Sequence, residues 1–154
     1  MQKHIWYMNR RAFASLLLSS LTLGAGCSSL GNDSQRIYKP QEVESIEFST
    51  DSSSDINSAP EVEFIGADNQ IRITGTAETG NPCHELVLDS LSYHTTEDIL
   101  YSLVVPAKLG SDCPDSSGSD TYELQATFAS QLPQIVRAEH RNMFGEIFST
   151  EATK

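Results

Sequence analysis

Apolar residues that recur at every second position constrain this chain more than any other feature it has. From Pro60 on, Val62 and Phe64 alternate with Glu61 and Glu63, and after the turn formers of residues 66–70 (GADNQ), Ile71, Ile73 and Gly75 alternate with Arg72, Thr74 and Thr76. Successive side chains of a β-strand point to opposite faces, so the pattern reads as a hairpin with one dry face and one wet face. Ile99, Tyr101, Leu103 and Val105 repeat the spacing until Pro106, and so do Tyr122, Leu124, Ala126 and Phe128, then Val136, Ala138 and His140. Beyond residue 27, no stretch of ten or more residues shows a convincing helical period.

Three places break the alternation. Leu86 and Leu88 share one parity and Leu91 and Tyr93 the other; a one-residue bulge at Asp89–Ser90 would return both pairs to the core side. Val43, Ile46 and Phe48 fit neither period, and with the polar stretch 51–60 (DSSSDINSAP) behind them they read as an edge strand followed by a loop. Met143, Phe144, Ile147 and Phe148 suggest a last short strand, bulged at Gly145. About seven short strands punctuated by Gly, Pro, Asn and Asp predict an all-β chain, a single antiparallel β-sandwich of immunoglobulin-like architecture. A small barrel is the alternative, since Trp6 lies ahead of the domain and the cysteine spacing is short for an inter-sheet bridge.

What precedes the strands is an address. Residues 8–27 (MNRRAFASLLLSSLTLGAGC) join an arginine pair, Arg10 and Arg11, to an apolar run thinned by serines and then to small residues before Cys27, the layout of a secretory signal. Arg10, Arg11 and the following Phe13 resemble the twin-arginine export motif. Residues 23–27 (LGAGC) resemble a lipobox, in which the cysteine is lipidated and becomes the mature amino terminus, although Gly24 stands where leucine is usual. The run is too short and too interrupted for the roughly twenty apolar residues that span a bilayer. The expected organisation is a signal peptide over 1–26, then a lipidated Cys27 with a polar tether and edge strand over 27–59, then the sandwich over 60–150. Export to the outer face of the cytoplasmic membrane follows, with the membrane held through the lipid on Cys27. Met8 is a plausible true start, and Asn32-Asp33-Ser34 is a formal glycosylation sequon.

Charge narrows the partners. The chain has 10 Lys plus Arg against 21 Asp plus Glu, a net charge of −11, and loss of a leader that holds Lys3, Arg10 and Arg11 and no acid leaves −14 (7 against 21). That excludes nucleic acid, whose phosphates need a basic footprint. It fits a solvated acidic coat in a saline setting, where molar salt screens charges to within about 3 Å. If Cys27 is taken by lipid, Cys83 and Cys113 remain as one pair, which an oxidising exterior would keep as a disulfide closing 31 residues.

Acidity, scarce lysine and a twin-arginine leader ending in cysteine are similar to small haloarchaeal exported lipoproteins of unknown function. Residues 71–76 (IRITGT), the cysteine opening the strand at 83–93, the second cysteine about thirty residues on, and the strand followed by Leu-Pro over 122–136 extend the resemblance across residues 60–141. It implies a small surface β-domain and carries over no catalytic residues.

Chemistry is harder to find. His84, His94 and His140 form no H-x-H pair and no Cys/His cluster, so each reads as a surface or strand-end residue rather than a metal ligand. There is no G-x-S-x-G and no Gly-rich phosphate cradle, and no cofactor is expected. The acidic loop 112–120, with Asp112, Asp115 and Asp120 around Gly118, is the one stretch that could wrap calcium, but its spacing is not that of an EF-hand. The expectation is a non-enzymatic surface module that binds a ligand or an unknown surface protein. An accessory or inhibitor of an extracytoplasmic enzyme is the second reading, and a small hydrolase or metal-dependent enzyme the third.

Overall fold

The structure is a computed structural model and describes residues 39–113 and 117–154. Arg10, Arg11, Phe13, Cys27, the sequon and Asp115 lie outside the described residues, as does the tether up to residue 38.

Eight strands run in the order β1 (Val43–Ser53), β2 (Ser58–Ile65), β3 (Gln70–Gly80), β4 (His84–His94), β5 (Ile99–Lys108), β6 (Gly118–Phe128), β7 (Ile135–Arg141) and β8 (Ile147–Thr153). They form two four-stranded sheets, β1-β6-β3-β2 and β4-β5-β7-β8, packed as a β-sandwich. Every neighbouring pair is antiparallel except β5 and β7. That exception follows from the path of the chain. After β5 it crosses to the other sheet, runs back as β6 and returns beside β5, so β6 serves as the crossover that a parallel pair requires. A short 3-10 turn, Gly66–Asp68, joins β2 to β3, with Asn69 in the left-handed region at φ 49°; asparagine tolerates that conformation.

The alternating residues meet between the sheets. Ile71, Ile73, Leu124 and Ala126 from one sheet face Leu86, Leu88, Leu91, Leu100, Val104, Val136 and Ala138 from the other, all essentially without solvent contact. Each fully buried side chain of leucine or isoleucine size contributes about 1.5–3 kcal/mol over its exposed state.

Local register resolves the three irregular stretches. A shift between Leu88 and Ser90 puts Leu91 on the inner side with Leu86 and Leu88, and Tyr93 packs against the same core. A second shift, between Val43 and Ser45, is why Val43, Ile46 and Phe48 match no single period while all three pack inward. β1 continues to Ser53 by pairing Asp51, Ser52 and Ser53 with Thr121, Asp120 and Ser119, so only residues 54–57 remain of the loop expected over 51–60. Met143 and Phe144 belong to no strand. They sit in the turn before β8, because the Asn142 side chain captures the backbone N–H groups of Phe144 and Glu146.

Strand directions give the sandwich two poles. The β1–β2, β3–β4, β5–β6 and β7–β8 connections share one end, called here the distal pole. The β2–β3, β4–β5 and β6–β7 connections share the other, and the chain comes into β1 there. No helix among the described residues is long and apolar enough to cross a membrane.

Candidate functional site

Three asparagines and a disulfide build the distal pole. Asn57 grips the end of β3, donating from Nδ2 to Glu78 Oε2 at 2.9 Å while its Oδ1 accepts from Glu78 N–H at 2.7 Å. This fixes the short loop that holds Ile56 out at 81% exposure. Asn81 Oδ1 accepts from Cys83 N–H at 3.1 Å and lies 2.8 Å from His84 Nδ1. Cys83 is disulfide-bonded to Cys113, with Cα atoms 5.6 Å apart, and its carbonyl accepts from Leu109 N–H at 2.6 Å. The bridge ties the start of β4 to the β5–β6 connection and leaves Leu109 exposed.

Asn142, only 2% exposed, organises the β7–β8 turn. Its Oδ1 accepts from Phe144 N–H at 3.0 Å and Glu146 N–H at 2.9 Å, and its Nδ2 donates to Glu146 Oε2 at 2.7 Å. Gly145 closes the turn at φ 82°. The turn is pinned to β3 by Met143 N–H donating to Glu78 O at 2.9 Å, and the Met143 thioether covers Gly80, where a Cβ would come within 2.5 Å of the sulfur. Phe144 is thereby presented at 68% exposure, beside the exposed Met143 and Ile147.

Carboxylates outnumber cations at this pole. Asp55, Glu78, Glu85, Asp112, Asp120 and Glu146 lie at this pole against Lys108 and Arg141. Asp120 belongs to β6, and burial together with the nearby Glu85 carboxylate pushes its carboxyl above the usual range, an effect that a hydrogen bond from Leu86 N–H opposes. Thr50 Oγ1 donates to Glu85 Oε1 at 2.8 Å. Asp120 is thus engaged across the sheets rather than turned toward Asp112.

The histidines do not converge. His84 opens β4, and His94 ends it with its ring 5.0 Å from that of Tyr101. His140, expected at a surface or strand end, is fully buried. Tyr122 Oη lies 3.2 Å from its Nδ1, linking the two sheets through the core, and the hydroxyl end of Tyr122 fits there because Gly75 has no Cβ, which would come within 2.7 Å of it. Burial lowers the His140 pKa to about 4 and raises that of Tyr122. His140 Nε2 has no hydrogen-bond partner among the described residues. Among the described residues no group of three or more His, Cys, Asp or Glu is placed to hold a metal.

Two shallow depressions sit at the other pole. One is lined by residues 93–97 and one by Pro40, Gln41, Glu42 and residues 92–94. Tyr93 Oη donates to Asp98 Oδ1 there, and burial with that bond raises the phenol to about 12.

Sequence reasoning missed Asn57, Asn81 and Asn142. For Asn81 and Asn142 the available signal was an asparagine at a chain reversal, where its short carbonyl accepts from backbone two to four residues on; the bonds of Asn57 to Glu78 are long-range and carry no local signal. No known protein family matches this chain, and neither does any curated protein or solved structure.

Proposed function

We propose that this chain is a non-enzymatic, lipid-anchored cell-surface module that docks a protein partner through its distal pole. One observation carries the reading: Ile56, Leu109, Met143, Phe144 and Ile147, the exposed large apolar side chains among the described residues, all lie at that pole. Single exposed apolar residues are ordinary, but several gathered at one end mark a contact surface. A lipid on Cys27 would hold the sandwich by the end where β1 begins, which leaves the apolar pole facing away from the membrane. The flanking carboxylates favour a partner whose contact surface is basic, through attraction that speeds encounter more than it tightens binding.

The double variant Met143→Ser, Phe144→Ser tests the proposal without touching the core. Purified from solubilised membranes beside the parent chain, it should lose the co-purifying partner while its melting temperature stays within a few degrees. Retention of the same partner at the same stoichiometry would refute docking through this pole. If the partner proves to be an enzyme whose activity changes on binding, the module is an accessory or inhibitor of that enzyme.

A further inference from the structure

Each sheet has two edges, and an edge strand offers unpaired N–H and C=O groups to any extended chain that meets it. Three of the four edges are blunted. β1 has the shift between Val43 and Ser45 and carries Glu44, Glu47 and Asp51. β2 has Pro60, a shift between Ser58 and Glu61, and Glu61 with Glu63. β4 is bulged between Leu88 and Ser90 and carries Glu85 and Asp89. β8 has none of these devices: it pairs with β7 from Ile147 to Thr153 with no register shift, and its one charged residue, Glu151, is engaged by Arg137.

The ladder also shows which backbone groups are free. Lys154 N–H donates to Gln134 O at 2.9 Å and Asn142 N–H to Glu146 O at 3.1 Å, both in the register of the β7–β8 pairing. Hydrogen-bonded pairs of an antiparallel ladder recur at every second residue. The even-numbered residues from Glu146 to Lys154 therefore bond to β7, and Ile147, Ser149, Glu151 and Thr153 turn their backbone groups to the open edge. All four are exposed.

We propose that β8 is a self-association edge, at which two copies of this chain pair antiparallel about Thr150 and join their sheets into one of eight strands. Centring on Thr150 sets Ile147 against Thr153 and Ser149 against Glu151, each twice by symmetry, so all four open residues of each copy are bonded. It also brings Glu146 opposite Lys154 of the second copy at both ends. Centring on Ser149 leaves Thr153 without a strand partner and centring on Glu151 leaves Ile147 without one, and the latter sets two Glu151 carboxylates face to face. The two acidic copies repel, so association strengthens in molar salt, where screening is short-ranged.

The test uses the full chain carrying Cys27→Ser, so that an introduced cysteine is the one unpaired thiol. A central, non-hydrogen-bonded pair has Cα atoms about 4.5 Å apart, within disulfide reach. In molar salt the parent should sediment as a dimer, and mild oxidation should convert Thr150→Cys to a covalent dimer several-fold more than Ser149→Cys or Glu151→Cys. Ser149→Pro removes an N–H that faces the open edge and spares the β7 ladder, so it should sediment as a monomer that still unfolds cooperatively, with a melting temperature that no longer depends on concentration. A monomeric parent at its highest soluble concentration, cross-linking of Ser149→Cys equal to that of Thr150→Cys, or a folded Ser149→Pro that stays dimeric would each overturn the proposal.

Discussion

Acid should loosen this sandwich at His140. Burial lowers the His140 pKa from 6.5 to about 4 in the folded chain. The unfolded chain therefore binds a proton that the folded chain refuses, and stability falls as pH drops through that window. The contribution is present in full above pH 6.5 and is lost by pH 4. At 1.36 kcal/mol per pKa unit the whole loss is about 3 kcal/mol, of which about 2.5 kcal/mol has gone at pH ~4.5. The raised Asp120 carboxyl acts in the opposite direction, since its protonation favours the folded chain, but it is common to the parent and any His140 variant. Urea unfolding of the parent and of His140→Leu at neutral pH and at pH ~4.5 isolates the histidine. The leucine leaves Tyr122 Oη without its partner, a cost of about 1–3 kcal/mol that applies at both pH values and cancels in the comparison. The parent should lose about 2.5 kcal/mol more than the variant on acidification. Equal losses would show that His140 is charged or solvated in the folded chain, contrary to its buried contact with Tyr122.

Gly75→Ala would place a Cβ 2.7 Å from Tyr122 Oη and 2.8 Å from its Cε1; overpacking of this kind costs about 1–3 kcal/mol, read as a lower urea midpoint at unchanged slope. Replacing Cys83 and Cys113 together with serine reopens the loop across the distal pole, and the chain-entropy estimate is a loss of about 3–4 kcal/mol in thermal or urea unfolding. Cys27→Ser should move the exported chain from the membrane fraction to the medium, followed by immunoblot; continued membrane retention would argue against lipidation.

Much of the fold was legible because the alternation is strict where one face is buried. Val62, Phe64, Ile71 and Ile73 announce their hairpin, and the parity switch at Asp89–Ser90 announces its bulge. β5 was legible only as a strand. Ile99, Tyr101, Leu103 and Val105 alternate well in sequence, yet the inward set is Leu100, Ser102 and Val104. The outer residues Tyr101, Leu103 and Val105 of this central strand are half-buried and as apolar as the inner ones, among which stands the polar Ser102, so the period does not say which parity turns inward. The chain forms eight strands where about seven were expected, and polar residues such as Ser52 and Ser53 extend β1 only because β6 lies beside them. The parallel β5–β7 pair is a long-range consequence of the chain path that no local pattern carries.

The distal pole was less legible. Nothing in the composition distinguishes Phe144 from core residues; what sets it apart is that Asn142 binds the backbone of its turn, while Asn57 anchors the loop of Ile56 to the end of β3. His140 was misjudged for a related reason. Its position in an alternating run with Val136 and Ala138 marks the inner face, and a partner such as Tyr122 on the other sheet, over a glycine, cannot be seen from one strand.

The most direct test of docking through the distal pole is site-specific photo-cross-linking in intact cells, with a photoreactive side chain at Phe144 in one strain and at Thr96, on the opposite pole, in another. Phe144 should yield a discrete adduct with one protein partner and Thr96 none. Adducts from Thr96 with none from Phe144 would contradict docking through the distal pole.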